Sequence, residues 1–290
     1  MLVLAFAGDR IGGLLLGKVL KESQFRYSRL YRSDAACELL FVGNSRGLIF
    51  YQPYIEEKTG RSTLNLSYNG MPMELAAVLI KDHLDRHAPP KTLVLDVTLL
   101  DKRMDARLTS GFNCYTPYSV RLSTLLRDSF PQDFYAGKTA HLYRYNSEVY
   151  QRALYYWKKS DEDWLLDRVI SPTLQNDVTK HGTFLFDYTP AMLADLADAV
   201  RYAQAKGVRV ELVVNPYYPP FAEKIANMPD LKAAIEQATG LPVRDYSSAI
   251  SGLSGFGDYQ HLNKNGAKEY LDKLMKDGVL GLHEELGSAD

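Results

Sequence analysis

The sequence predicts an α/β protein, a three-layer α/β/α sandwich around a parallel sheet that carries a helical insertion. Three observations carry this reading. Short apolar runs alternate with helix-length amphipathic stretches over residues 38–97, the alternation a parallel sheet needs because each strand returns through a crossover. The alternation resumes over 190–276. Between the two, residues 100–188 are rich in aromatics and offer no strong strand.

The elements follow in order. Residues 38–43 (ELLFVG) are a short apolar run closed by glycine, the pattern of a buried strand. Residues 46–58 read as a helix with Gly60 as its stop. Residues 63–67 (TLNLS) give a second strand, followed by the turn Asn69-Gly70-Met71-Pro72. A well-patterned helix over 73–87 ends before Pro89-Pro90, and 92–97 (TLVLDV) are a third buried strand. After the insertion come a helix at 190–205, a strand at 208–214 (VRVELVV), a helix at 221–239, a strand at 242–246 and a closing helix at 263–276. No internal repeat or low-complexity linker divides the chain, so residues 35–290 read as one α/β domain with its insertion at about 100–188.

Residues 1–34 stand apart as an N-terminal apolar helical segment. In MLVLAFAGDRIGGLLLGKVL, Asp9 and Arg10 interrupt the apolar run well short of the roughly 20 residues a spanning helix needs. The stretch also lacks the basic start and small-residue cleavage site of a secretory signal. Two readings stay open: an apolar helix packed on the domain, or the remnant of a membrane anchor. The last ten residues, GLHEELGSAD, are polar and expected to fray.

Composition excludes several classes of function. Lys and Arg total 34 against 35 Asp and Glu, so no basic excess draws nucleic acid to this chain. Two cysteines make neither a disulfide scaffold nor a zinc knuckle; Cys37 and Cys114 read as buried free thiols, with their pairing in an oxidising compartment the open alternative. The 20 tyrosines point to aromatic surfaces that grip a polar ligand.

In open parallel sheets, ligands bind at the carboxyl ends of the strands. Gly43-Asn44-Ser45-Arg46-Gly47 follows the first strand, Tyr68-Asn69-Gly70 the second, and Asn215-Pro216 the fourth, while Asp258-Tyr259-Gln260-His261 precedes the last helix. A serine hydroxyl attacks well only when a base removes its proton and a third group orients that base. Ser45 is the candidate nucleophile, His261 the base and Asp258 the residue that orients it. Backbone N–H groups of Ser45 and Gly70 are candidate donors to a tetrahedral oxyanion, each worth about 3 kcal/mol of barrier. Gly-x-Ser-x-Gly also spells the nucleophile elbow of α/β-hydrolases, but there the acid lies far from the histidine in sequence, whereas Asp258 is three residues before His261.

The arrangement resembles the SGNH (GDSL-like) hydrolase superfamily. Its first block is matched by Phe41 to Arg46 with Ser45 after the strand, its second by Asn65 to Gly70, and its fifth, Asp-x-x-His, by Asp258 to His261. The usual Asp before the serine is Asn44 here. Where the third block supplies an oxyanion asparagine, this chain has Val97-Thr98-Leu99-Leu100. The side chain of Asn69 or Asn215 is the candidate replacement. These departures resemble a divergent branch of membrane-anchored, extracytoplasmic proteins linked to acylation of envelope polymers and exopolysaccharides. The resemblance implies a flavodoxin-like sheet and serine-dependent transfer or hydrolysis of an O-acyl group, most plausibly acetyl, with neither metal nor organic cofactor. As partners it implies an acyl donor, a carbohydrate acceptor or acylated polysaccharide, the membrane at the N-terminus and a membrane-bound acyltransferase. The competing expectation is a catalytically weak SGNH-like scaffold that binds polysaccharide or organises an export complex. Phosphoester chemistry finds no metal cluster or basic pocket in the sequence.

Other residues attract attention with plainer readings beside them. His83 and His87 have the i, i+4 spacing of metal ligands, but no third ligand is evident and Asp82, Asp85 and Arg86 read as a solvated face. Arg46 reads as a surface arginine paired with a carboxylate rather than an anion contact. The insertion's Tyr115, Tyr118, Tyr135, Tyr143, Tyr145, Tyr150, Tyr155, Tyr156 and Trp157 either stack on sugar rings or form the insertion's own core.

Overall fold

Five strands, β1 (Leu39–Val42), β2 (Thr63–Asn65), β3 (Thr92–Asp96), β4 (Arg209–Val214) and β5 (Val243–Asp245), form an all-parallel sheet in the order β2-β1-β3-β4-β5. The computed structural model describes residues 2–162 and 164–281, so the polar stretch from 282 onward, where fraying is expected, lies outside the described residues. Every residue of β1 and β3 is buried. Strands covered on both faces read as continuous apolar runs, which is why these two are so plain in the sequence. Phe41 pairs with Asn65 on one side and Val94 on the other, and Leu95 pairs with Leu212. The strand order reverses direction between β1 and β3, the place where doubly wound sheets open a crevice.

Thirteen α-helices are described: α1 (Leu2–Glu22), α2 (Arg26–Arg32), α3 (Gln52–Thr59), α4 (Met73–Arg86), α5 (Ala106–Thr109), α6 (Val120–Ser129), α7 (Pro131–Thr139), α8 (Glu148–Tyr155), α9 (Pro172–Lys180), α10 (Pro190–Ala205), α11 (Pro219–Ala222), α12 (Met228–Thr239) and α13 (Lys264–Lys276). Helices α4, α10 and α12 pack in a row. Tyr54 of α3 donates to Asp272 of α13 at 2.7 Å, joining a second pair of helices. This arrangement is compatible with a three-layer sandwich. The insertion holds α5 to α9 and no strand among its described residues.

Two expected helices are broken in the structure. The stretch 46–58 divides into a 3₁₀ helix, Ser45–Ile49, and α3, because Phe50 drops into the core to stack on Phe41 at 4.8 Å and Pro53 starts a new first turn. The stretch 221–239 divides into α11 and α12. Backbone bonds from Phe184 N to Lys224 O at 2.8 Å and from Ala226 N to Phe184 O at 3.0 Å hold the intervening residues against the insertion.

The N-terminal segment is two helices, α1 and α2, separated at residues 23–25, and α1 lies on the insertion. Asp9 caps residues 141–145 by accepting from His141 N at 2.8 Å and Leu142 N at 2.9 Å, while Leu20 is buried. Its other side is apolar and exposed at Val3, Leu4, Ile11, Leu14 and Leu15. No helix among the described residues is long and apolar enough to cross a membrane.

His83 and His87 both spend Nε2 on backbone carbonyls near α2, His83 on Ala35 at 2.8 Å and His87 on Leu30 at 2.9 Å. Asp85 and Arg86 are exposed as the sequence suggests, but Asp82 is not. Asp82 is buried, accepting from Tyr31 at 2.9 Å and Arg121 at 3.2 Å, because α2 and α6 cover it. Among the described residues, no group of three His, Cys, Asp or Glu is placed to hold a metal ion. Cys37 and Cys114 are buried free thiols, and burial pushes Cys37 up to about 12.

Candidate active site

Ser45 begins the 3₁₀ helix that leaves β1, and its position there follows from Asn44. The Asn44 side chain accepts from Arg46 N at 2.9 Å, closing the turn, and donates to the carbonyl and hydroxyl of Thr98 at 3.0 and 3.2 Å. Asn44 therefore ties the end of β1 to the end of β3. As the first residue of the 3₁₀ helix, Ser45 has no acceptor for its N–H within that helix.

His261 arrives from the other end of the chain, on the loop that enters α13. Asn263 caps α13, accepting from Asn265 N at 3.0 Å and Gly266 N at 3.2 Å, while its amide donates to Ser254 O at 2.7 Å. A Cβ at Gly266 would collide with the Gly255 backbone, so only glycine lets α13 start this close to the loop. The His261 Nε2 lies 2.9 Å from Ser45 Oγ, and its Nδ1 lies 2.9 and 3.0 Å from the two oxygens of Asp258. With Nδ1–H given to the carboxylate, the Nε2 lone pair faces the serine hydroxyl. Burial alone would raise the Asp258 carboxyl. Hydrogen bonding and charge from His261, with N–H donation from Gln260 at 2.8 Å and His261 at 2.9 Å, outweigh it and hold the group below its ordinary value.

The three side chains open into a pocket of about 220 Å³. Asn69 faces it, as do Leu48, Trp164, Leu166 and Leu262. Gly70 lies instead on the neighbouring cavity and adopts φ +69°, the left-handed conformation that glycine takes without strain. Asn215 is fully buried behind the site. Its amide donates to Arg46 O at 3.2 Å and accepts from Tyr270 at 2.8 Å, so it does not share the pocket with Ser45. The structure thus gathers Ser45, Asp258, His261 and Asn69 around one space, and places Gly70 beside it and Asn215 beneath it.

Arg46 is neither on the surface nor paired with a carboxylate. Its guanidinium is buried against the Tyr217 ring and donates to the carbonyls of Asn215 and, at 3.1 Å, Pro216. Burial pushes its pKa down to about 10, against the pull of Asp96. It fastens the end of β4 to the turn that carries Ser45.

The pocket's outer wall comes from residues 164–166, which sequence reasoning missed. Leu166 accepts from Lys264 N at 2.9 Å, docking this strip on the His261 loop. The sequence signal is an apolar Trp-Leu-Leu run set among charged neighbours. Arg26 and Asp161 anchor it from behind. The fully buried guanidinium of Arg26 meets Asp161 at 2.8 and 3.2 Å and donates to Ser67 O at 2.7 Å.

The aromatics of the insertion divide between its core and its surface. Tyr115, Tyr150 and Tyr156 are core, with Tyr156 stacked on Phe25 at 6.0 Å, whereas Tyr135, Tyr143, Tyr155 and Trp157 are exposed. No family model matches this chain, and no curated protein matches it.

Proposed function

We propose that this protein is an SGNH-type serine esterase or O-acyltransferase with a three-layer sandwich fold, acting on acyl esters of a carbohydrate polymer. The observation that carries the reading is the unbroken run from Asp258 through His261 to Ser45, open to a pocket with apolar walls. In the proposed cycle, Ser45 Oγ attacks the ester carbonyl as its proton passes to His261 Nε2. The C=O electron pair moves onto oxygen, where the Ser45 N–H and the Asn69 amide, both from residues that line the pocket, are the candidate donors. The intermediate expels the alcohol, which takes the proton from His261, and leaves an acyl group on Ser45. Water or a sugar hydroxyl then attacks in the same way and frees the serine. Asp258 keeps the imidazole in the required tautomer and balances its transient charge. None of these steps calls for a cofactor. The pocket's size suits a short acyl group such as acetyl.

The exposed apolar side of α1 supports a membrane-associated setting, and the resemblance adds an extracytoplasmic location beside a membrane-bound acyltransferase that supplies the acyl group. A second reading, a polysaccharide-binding scaffold with little catalysis, draws on one observation. The end of β3 presents Thr98, already engaged by Asn44, where an oxyanion asparagine is expected.

The test is release of 4-nitrophenol from its acetate ester, with and without oligosaccharide acceptors. Ser45→Ala is expected to lower turnover by about 10³-fold or more while leaving the circular dichroism spectrum unchanged. Acetylated oligosaccharide in the mixture identifies transfer. A mutant that keeps a tenth of the wild-type rate overturns the nucleophile, and a wild type that binds oligosaccharide without any turnover favours the scaffold.

A further inference from the structure

Three cavities run in sequence away from Ser45. Asn69 lines both the pocket at the serine and a second cavity of about 410 Å³. Arg107 and Glu148 in turn line both that cavity and a third, of about 700 Å³, over the insertion. Linked in succession by these shared wall residues, they line up as a trough whose chemistry changes from one cavity to the next. Near Ser45 the walls are apolar. In the outermost cavity Arg107, Arg144 and Arg152 face a single carboxylate, Glu148, beside the exposed rings of Tyr143 and Tyr155. In a chain with a formal charge of -1, that is a local concentration of positive charge.

These groups are only partly engaged with one another. Arg152 meets Glu148 at 3.4 Å, and Arg144 uses Nε on Gly137 O at 2.6 Å, which leaves the outer nitrogens of its fork for another acceptor. Arg107 is exposed, with no ion pair among the described residues. The Tyr68 hydroxyl, at the wall of the middle cavity, is buried near Arg152 and has no hydrogen bond of normal geometry among the described residues. Guanidinium forks match carboxylates in shape and charge, and tyrosine faces cover the C–H surface of a sugar ring.

Resting on the function proposed above, we infer that this trough binds an acidic oligosaccharide, a chain of sugars bearing carboxylates, and delivers one of its hydroxyl or ester groups to Ser45. The arginines hold the carboxylates of sugars remote from the reacting one. The apolar pocket takes only the acyl group.

Calorimetric titration of the Ser45→Ala protein tests this without any turnover. The probes are a hexamer of galacturonic acid and the same hexamer fully methyl-esterified. The acidic hexamer is expected to bind at least tenfold more tightly than the neutral one, with affinity that falls as salt rises. Arg107→Gln, at an exposed position, and Arg144→Gln are each expected to weaken the acidic hexamer about fivefold or more. Equal affinity for the two hexamers, no binding of either, or no loss in both arginine variants overturns the proposal. Since Ser45→Ala is the binding protein, a wild type that binds the hexamer yet turns over no ester overturns the ester chemistry and leaves the trough intact.

Discussion

The guanidinium of Arg26 holds both oxygens of Asp161 across 135 residues of chain, with each side chain about 3% exposed. The pair joins α2 to the strip that walls the Ser45 pocket, and through Ser67 O it also reaches the loop that carries Asn69. Taking one member away strands a buried charge, so Asp161→Ala is expected to cost about 3–5 kcal/mol. Urea denaturation reads the loss directly. A change below about 1 kcal/mol would mean that the guanidinium finds other acceptors.

Asp258 accepts three hydrogen bonds at once, two from backbone N–H groups and one from His261. An amide in its place turns one of those contacts into a donor against a donor and withdraws the charge that balances the imidazolium. Asp258→Asn is expected to lower kcat by about 10³–10⁴-fold with a small change in melting temperature. A rate within tenfold of wild type would show that His261 is oriented by something else.

The two asparagines considered as oxyanion donors separate cleanly in the structure. Asn69 faces the pocket, and Asn215 is spent on Arg46 and Tyr270. Asn69→Ala is expected to reduce kcat by about 10²-fold with little effect on KM or stability. Asn215→Ala should act on stability first, by about 1–3 kcal/mol, because it leaves buried polar partners unmet. Paired kinetics and thermal melts distinguish the two, and the reverse pattern would exchange their roles.

Burial drives the His83 imidazole down to about 4, with His87 adding to the shift and the bond to Ala35 opposing it. Its Nδ1 has no partner among the described residues, so a second proton there would sit in the core without an acceptor. Between about pH 4 and its ordinary value near 6.5 the unfolded chain binds the extra proton and the folded chain does not. Stability therefore falls as pH drops through that window, by up to about 3 kcal/mol. Denaturant midpoints taken from pH 7 to pH 4 should show the slope, and His83→Gln, which keeps a donor for Ala35, should flatten it. An unchanged slope in that variant assigns the effect to other groups.

How much of this was legible in the sequence depends on how local each cause is. The strands β1 and β3 stand out because burial on both faces makes them continuously apolar. Ser45, Asp258 and His261 stand out because each belongs to a short motif at a strand end or helix start, so three local signals mark one place. Arg46 was hidden for the opposite reason. The carbonyls that hold it belong to Asn215 and Pro216, 169 and 170 residues away, and a lone arginine after a strand reads as solvent-facing. The solvated reading of Asp82 failed similarly, since Tyr31 and Arg121 come from helices distant in sequence. The break at Phe50 is set by a tertiary stack on Phe41, which no periodicity announces.

One consequence concerns the order in which the site comes into being. Ser45 and His261 are 216 residues apart, so a ribosome that has finished the serine works for about 10–40 s more before the imidazole exists. Throughout that interval the Ser45 hydroxyl lacks its partner nitrogen, and β4 and β5 are synthesised before residue 261 is reached. The contact between Ser45 and His261 therefore forms only after every strand of the described sheet has been made, so the pairing waits on the sheet rather than preceding it.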